Sequence, residues 1–235
     1  MNTDYEFHLM QFADSFFPSG LFSMSNGFES WSKAHKIKSA KHVLDFARQQ
    51  MTLQAAPMDC VIINQAMNAA DAEDIDALVA LDKFYYSTKT VREVRNATVR
   101  SGRQVIECVN YMISGNNIAK AHLVEKFGYQ IKRNGTPGTY PVVLGLCLAC
   151  MEVPNNAALR MFLYSFCSGI VASAIRLGVI GHMDGQKVLT CLADPVNEIL
   201  CNVNSKMVDD AWQTTPLADI LQMNHAYDES KMFIT

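Results

Sequence analysis

The chain has 235 residues, 49% hydrophobic and 18% charged, with 20 basic and 23 acidic side chains and a formal charge of −3. The length suits one domain over residues 1–235, and the low charged fraction implies either a large core or a surface that a partner covers. The charge balance excludes the broad cationic footprint of a general nucleic-acid binder.

The N-terminus carries Asp4, Glu6 and His8 without the basic and apolar runs of a secretory leader, so a cytoplasmic protein is expected. Val43, Phe46, Ala47 and Met51 share a helical face, with Ser39 placed as N-cap. Pro57 is suited to open the next helix as its first residue. Ile75, Leu78 and Val79 continue the pattern after Glu73 and Asp74, acids that favour a helix N-terminus.

The clearest amphipathic helix runs from Thr88 to Ile113. Val94, Thr98, Val105, Cys108, Val109 and Met112 project to one side; Arg92, Arg95, Arg100, Arg103, Asn96 and Glu107 project to the other. Four arginines with little acid between them repel one another. The stripe is either a solvated face or a face that meets carboxylates, in a partner or across the domain.

Arg133 to Thr139 reads as the main loop, and Pro141 stands where a new helix begins. The run from Ala157 to Leu177 reads as a central core helix that Gly178 and Gly181 end. Its uncharged stretch between Arg160 and Arg176 is 15 residues, short of the ~20 that span a bilayer, so no membrane association is expected. From Asn202 onward the chain is more polar, yet Pro216 opens a short helix bearing Leu217, Ile220 and Leu221, and Met232 and Phe233 follow near the end. This tail, residues 203–235, either docks on its own domain or orders against a partner. With no strand-rich region and no repeat, the expected fold is all-α: one globular multi-helix domain with a short C-terminal helical tail.

Chemistry-bearing motifs are sparse. Gly181 to Lys187 lacks the spacing of a phosphate-binding loop, and no dinucleotide fingerprint, zinc-protease motif or nucleophile elbow occurs. Cys147 and Cys150 form a Cys-x-x-Cys pair with no second pair to complete a zinc site. They lie in an apolar run, as most of the seven cysteines do, which points to buried thiols in a reducing compartment rather than disulfides. Of the six histidines, His35 and His42 are separated by the Ser39 break, while His182 and His225 sit beside the motifs below. No catalytic, metal or cofactor residue is assigned.

Five blocks are recognisable: Leu9–Glu29 (LMQFADSFFPSGLFSMSNGFE), Arg92–Gln104 (REVRNATVRSGRQ), Tyr140–Gly145 (YPVVLG), Ala174–Gln186 (AIRLGVIGHMDGQ) and Pro216–His225 (PLADILQMNH). In this order, nearly end to end, they resemble the urease accessory protein family UreF. The chain departs from the family pattern at Leu21, where a glycine is usual, and at Met24 and near Thr139, where histidines often stand, so no nickel-ligand role is expected at those positions.

The resemblance implies an all-helical, non-catalytic homodimer. It would bridge a UreD-type protein (UreH in some organisms) and the GTPase UreG while nickel enters apo-urease. Nickel would transit the complex rather than stay as a cofactor. Candidate partner-binding residues are Arg92, Arg95, Arg103, Tyr140, Pro141, Arg176, Gly178, Gly185, Gln186, Pro216, Ile220, His225 and Phe233. The competing readings are a helical interaction protein unrelated to urease and a helical metalloenzyme. The second would need the paired Glu-x-x-His motifs of a di-metal bundle, which are missing from the sequence.

Overall fold

A computed structural model describes residues 5–35, 37–115, 118, 120–225 and 232–233, and among these only helices, turns and loops occur. The helices are α1 (Tyr5–Ala13), α2 (Phe28–His35), α3 (Ala40–Gln50), α4 (Val61–Asp71), α5 (Ile75–Thr88) and α6 (Arg92–Ile113). They continue as α7 (Ala121–Lys132), α8 (Tyr140–Cys150), α9 (Asn155–Arg176), α10 (His182–Cys191), α11 (Ala193–Val203) and α12 (Pro216–His225). The all-α expectation holds.

Several ends form for local reasons read in the sequence. The Ser39 hydroxyl accepts from the His42 N–H and caps α3. Pro141 lies in the first turn of α8, where its missing N–H costs nothing. Gly178, at φ 69°, closes α9; its N–H bonds Ile175 O, and the Val179 N–H bonds Ala174 O, the Schellman pattern. Gly181 does not end α9; it precedes α10 as its N-cap.

Pro57 does not open a helix. It lies inside a π-helical stretch, Met51–Cys60, that joins α3 to α4 without a break. Proline cannot donate to the carbonyl four residues back and crowds it, so the helix widens there. The Leu53 carbonyl instead accepts from Thr214 N–H at 2.9 Å, and the Pro57 carbonyl from Trp212 N–H at 3.2 Å. A C-terminal strap thus supplies a donor to the Leu53 carbonyl, four residues before the proline, and a second donor to the Pro57 carbonyl.

At the centre lies α8, every residue buried. A helix enclosed on all sides needs no polar face, and its sequence has none. It packs most closely on α4, where Gly145 lets the backbones approach: a Cβ there would sit 2.6 Å from Ile63 O. The other long apolar helix, α9, runs through the core against α1, α3 and α10. It is 22 residues long because it takes in Arg160 and Arg176 at its margins, and more than half of its most apolar window is buried inside the chain.

Candidate functional site

Three constructions organise the surface around α5, α6 and α12. The first is the loop between α7 and α8. Asp82 on α5 is fully buried. Its carboxylate accepts from the Thr136 hydroxyl (2.5 Å), Gly138 N–H (2.6 Å), Thr139 N–H (2.7 Å) and Thr139 hydroxyl (2.5 Å). Four donors satisfy the charge that burial would otherwise penalise. On the other side α6 meets the same loop at Gly102, where an added Cβ would lie 2.2 Å from Gly138 O. The loop is therefore a fixed wall. Beside it an open groove of about 960 Å³ is lined by Lys83 and Tyr86 of α5, Arg100 and Arg103 of α6, and Pro137 of the loop.

The second is a buried polar cluster beneath the C-terminal strap. Asp59 accepts from the Tyr85 hydroxyl at 2.6 Å and from Lys89 Nζ at 3.2 Å. Lys89 also donates to Gln213 Oε1 at 2.7 Å, and Gln213 Nε2 donates to Thr88 O at 3.2 Å. Burial, with the Asp59 charge beside it, pushes the Tyr85 phenol well above its usual range. The cluster borders a cavity of about 80 Å³, also lined by Tyr140, Pro141, Thr98 and Gln222. These donors and acceptors are already committed to one another, so the cluster ties the π-helical stretch Met51–Cys60, the end of α5 and the strap together.

The third is the tail. Glu29 on α2 is 1% exposed. Its carboxylate accepts from Lys33 Nζ at 2.9 Å, Met232 N–H at 3.1 Å and Phe233 N–H at 3.2 Å. Phe233 is buried, with the Arg176 guanidinium 4.3 Å from its ring centroid. Ahead of it α12 lies on α2 and α6, burying Ala218 and Gln222. Its outer face leaves Leu217 52%, Ile220 55% and Met223 46% exposed.

The helical frame thus carries anchoring carboxylates, a basic groove and an outward apolar face. The sequence model described as UreF matches residues 37–193. The chain belongs to the UreF family. A protein of Brucella melitensis named urease accessory protein UreF 1 is 33% identical over 97% of this chain and 91% of its own length. Proteins named urease accessory protein UreF from Photorhabdus laumondii and Trichodesmium erythraeum are 28% and 26% identical, over 99% and 96% of this chain and 99% and 94% of their own lengths.

The family blocks converge on these constructions. The opening block ends at Glu29, the tail anchor; the arginine block holds Gly102, Arg100 and Arg103; the block that begins in the last turn of α9 holds Arg176, which covers Phe233. The predicted site residues do not all lie on a surface. Tyr140 and Pro141 are buried in the first turn of α8, and Gly185 is buried against Ile175 and Val171 of α9, so these three build the fold. Gln186, Gly178, Arg92, Pro216 and Ile220 are exposed.

Arg95 leaves the arginine stripe. It stands two turns before Gly102, on the buried side of α6, and its Nη1 donates to Lys89 O at 3.4 Å with the guanidinium beside the Tyr86 ring. Arg103 stays outside and donates from Nε to Pro137 O at 3.0 Å. The described parts of the tail, α12, the strap and Phe233, rest against the chain's own body; the His225 side chain and residues 226–231, 234 and 235 lie outside the described residues.

Asp59, Asp82, Lys89 and Gln213 were missed by sequence reasoning. The available signal was a lone charge inside an apolar helical run, as Asp59 is in Met58–Ile63; such a charge needs a buried partner. Among the described residues no group of three or more His, Cys, Asp or Glu is placed to hold a metal. All seven cysteines are free, and Cys147 and Cys150 are buried in α8. Burial pushes the Cys150 thiol up to about 11 and the Cys167 thiol to about 12, which keeps both protonated and poor as nucleophiles or ligands.

Proposed function

We propose that this chain is the non-catalytic adaptor of a cytoplasmic nickel-insertion complex for urease. In this reading it acts as a homodimer that holds a UreD/UreH-type protein and a UreG-type GTPase together while they meet apo-urease. Nickel is cargo of the assembly. The family membership supports the urease assignment. The observation that carries the adaptor role is α12: it is folded in place on α2 and α6, yet turns Leu217, Ile220 and Met223 to solvent. An apolar face already ordered in the free chain meets a partner with little further loss of entropy, and the UreD/UreH-type protein is its proposed occupant.

Two experiments test this. In a urease operon lacking its own UreF gene but carrying this chain's native partners, the chain should restore both urease activity and the nickel content of purified urease. Failure of a soluble, abundant protein to do so would reject the maturation role. Leu217→Glu with Ile220→Glu alters exposed positions only, so the fold should survive while the binary complex with the UreD/UreH-type partner is lost. An intact complex would place that partner elsewhere.

A further inference from the structure

We propose that the groove between α5, α6 and the Arg133–Thr139 loop is a docking site for an extended, acidic segment of a partner protein. This goes beyond the adaptor reading and stands without it, because it rests on the groove alone.

The charge is the first argument. Lys83 from α5 and Arg100 and Arg103 from α6 line the groove, against one acid, Glu107. The whole chain carries −3, so the groove is a local reversal of sign on an otherwise acidic molecule. Such a reversal steers and registers a partner of opposite charge. Arginine's planar fork suits carboxylates in particular.

The second argument is preorganisation. The four bonds to Asp82 hold the loop, and Gly102 presses α6 against it. Arg103 is fixed by its Nε bond to Pro137 O, a bond that does not use its terminal nitrogens. A ligand therefore meets cations whose supporting wall is already in place, which lowers the cost of binding.

The third argument concerns the kind of ligand. Asn96, Gln104 and Asn134 offer amide groups along the same groove, the chemistry that pairs with an extended peptide backbone. Tyr86, Val99 and Pro137 supply apolar contacts between them. Three cations opposed by an acid are too few for nucleic acid, whose binding rests on neutralising many phosphates. The carboxylates of a protein segment fit the site better.

The test uses the full chain and a fluorescein-labelled oligoglutamate peptide, read by fluorescence anisotropy, with oligoglutamine and single-stranded oligouridylate as comparison probes. Oligoglutamate should bind at low salt, weaken as salt rises and outcompete both comparison probes. Arg100→Glu should weaken it about tenfold or more, and Arg100→Gln less. Lys187→Glu, an exposed charge reversal on α10 outside the groove, should leave it unchanged. Carbodiimide coupling of peptide carboxylates to lysine should place the cross-link on Lys83, located by mass spectrometry. Melting by circular dichroism confirms that each variant is folded. The proposal is overturned by no oligoglutamate binding at low salt, by equal binding in a folded Arg100→Glu variant, or by cross-links only at other lysines. Tighter oligouridylate binding that also depends on Arg100 would make the groove a nucleic-acid site instead.

Discussion

Asp82 shows how one side chain can determine a surface it never reaches. Fully buried, it receives four hydrogen bonds from a loop more than fifty residues later in the chain and makes that loop rigid. Asp82→Ala would leave two hydroxyls and two N–H groups without their acceptor, at a cost on the order of 3 kcal/mol or more. Urea unfolding should show that loss; a change below about 1 kcal/mol would mean the loop is held by its other contacts. The cysteines make a prediction of a different kind. In the unfolded chain their thiols titrate near 9.0, whereas burial moves Cys150 to about 11 and Cys167 to about 12. Their folded pKa values are raised, so the unfolded chain gives up these protons first. The contribution to stability is complete below pH 9 and is lost as pH climbs through the folded values. The denaturation midpoint should therefore fall steadily above pH 9, with Tyr85 adding to the slope. A flat profile to pH 11 would contradict the burial of these groups.

Among the elements, the contact of α4 with α8 depends on close backbone approach more than on any polar bond. A methyl group at Gly145 would come within 2.6 Å of Ile63 O and 2.8 Å of Ala66 Cβ, so Gly145→Ala must push the helices apart. The expected loss is about 1–3 kcal/mol, seen as a lower Tm, while a neutral effect would mean α8 can slide. Chain reversals tolerate strain where nothing packs closely. Glu152, just past α8, sits at φ 55°, a conformation glycine adopts without penalty. Glu152→Gly should therefore raise Tm slightly, the opposite sign to Gly145→Ala. The π-helical stretch at Pro57 follows from a local steric rule, and its Leu53 and Pro57 carbonyls give the strap at 212–214 a place to bind.

At the scale of the molecule, the C-terminal segment is stitched to the body at three separated places: Leu53 and Pro57 by the strap, α2 and α6 by α12, and Glu29 with Arg176 by Met232 and Phe233. The last stitch is the smallest and should fail first. Phe233→Ala removes the buried ring and its stacked cation, so limited proteolysis beyond Pro216 should accelerate while the melting of the helical body stays nearly unchanged. Equal cleavage rates would show that α12 holds the tail without its end.

The sequence by itself determined what depends on neighbours within a turn or two. Helical periodicity, the Ser39 cap, the Pro141 start and the Gly178 stop are all local, and the family blocks could be read without coordinates. What only the tertiary structure decided is which distant groups meet. Asp59 with Lys89, Asp82 with Thr136 and Thr139, and Glu29 with Phe233 are pairs separated by 30 to 204 residues. No local pattern encodes such pairings, because they depend on how the helices are packed. The same packing turned Arg95 inward to Lys89, drew Tyr140 and Gly185 into the interior and folded the tail onto its own body, leaving Arg100 and Arg103 on a rigid, open groove. A helix's own period assigns a residue to a face; only the neighbouring helices decide whether that face meets protein or water.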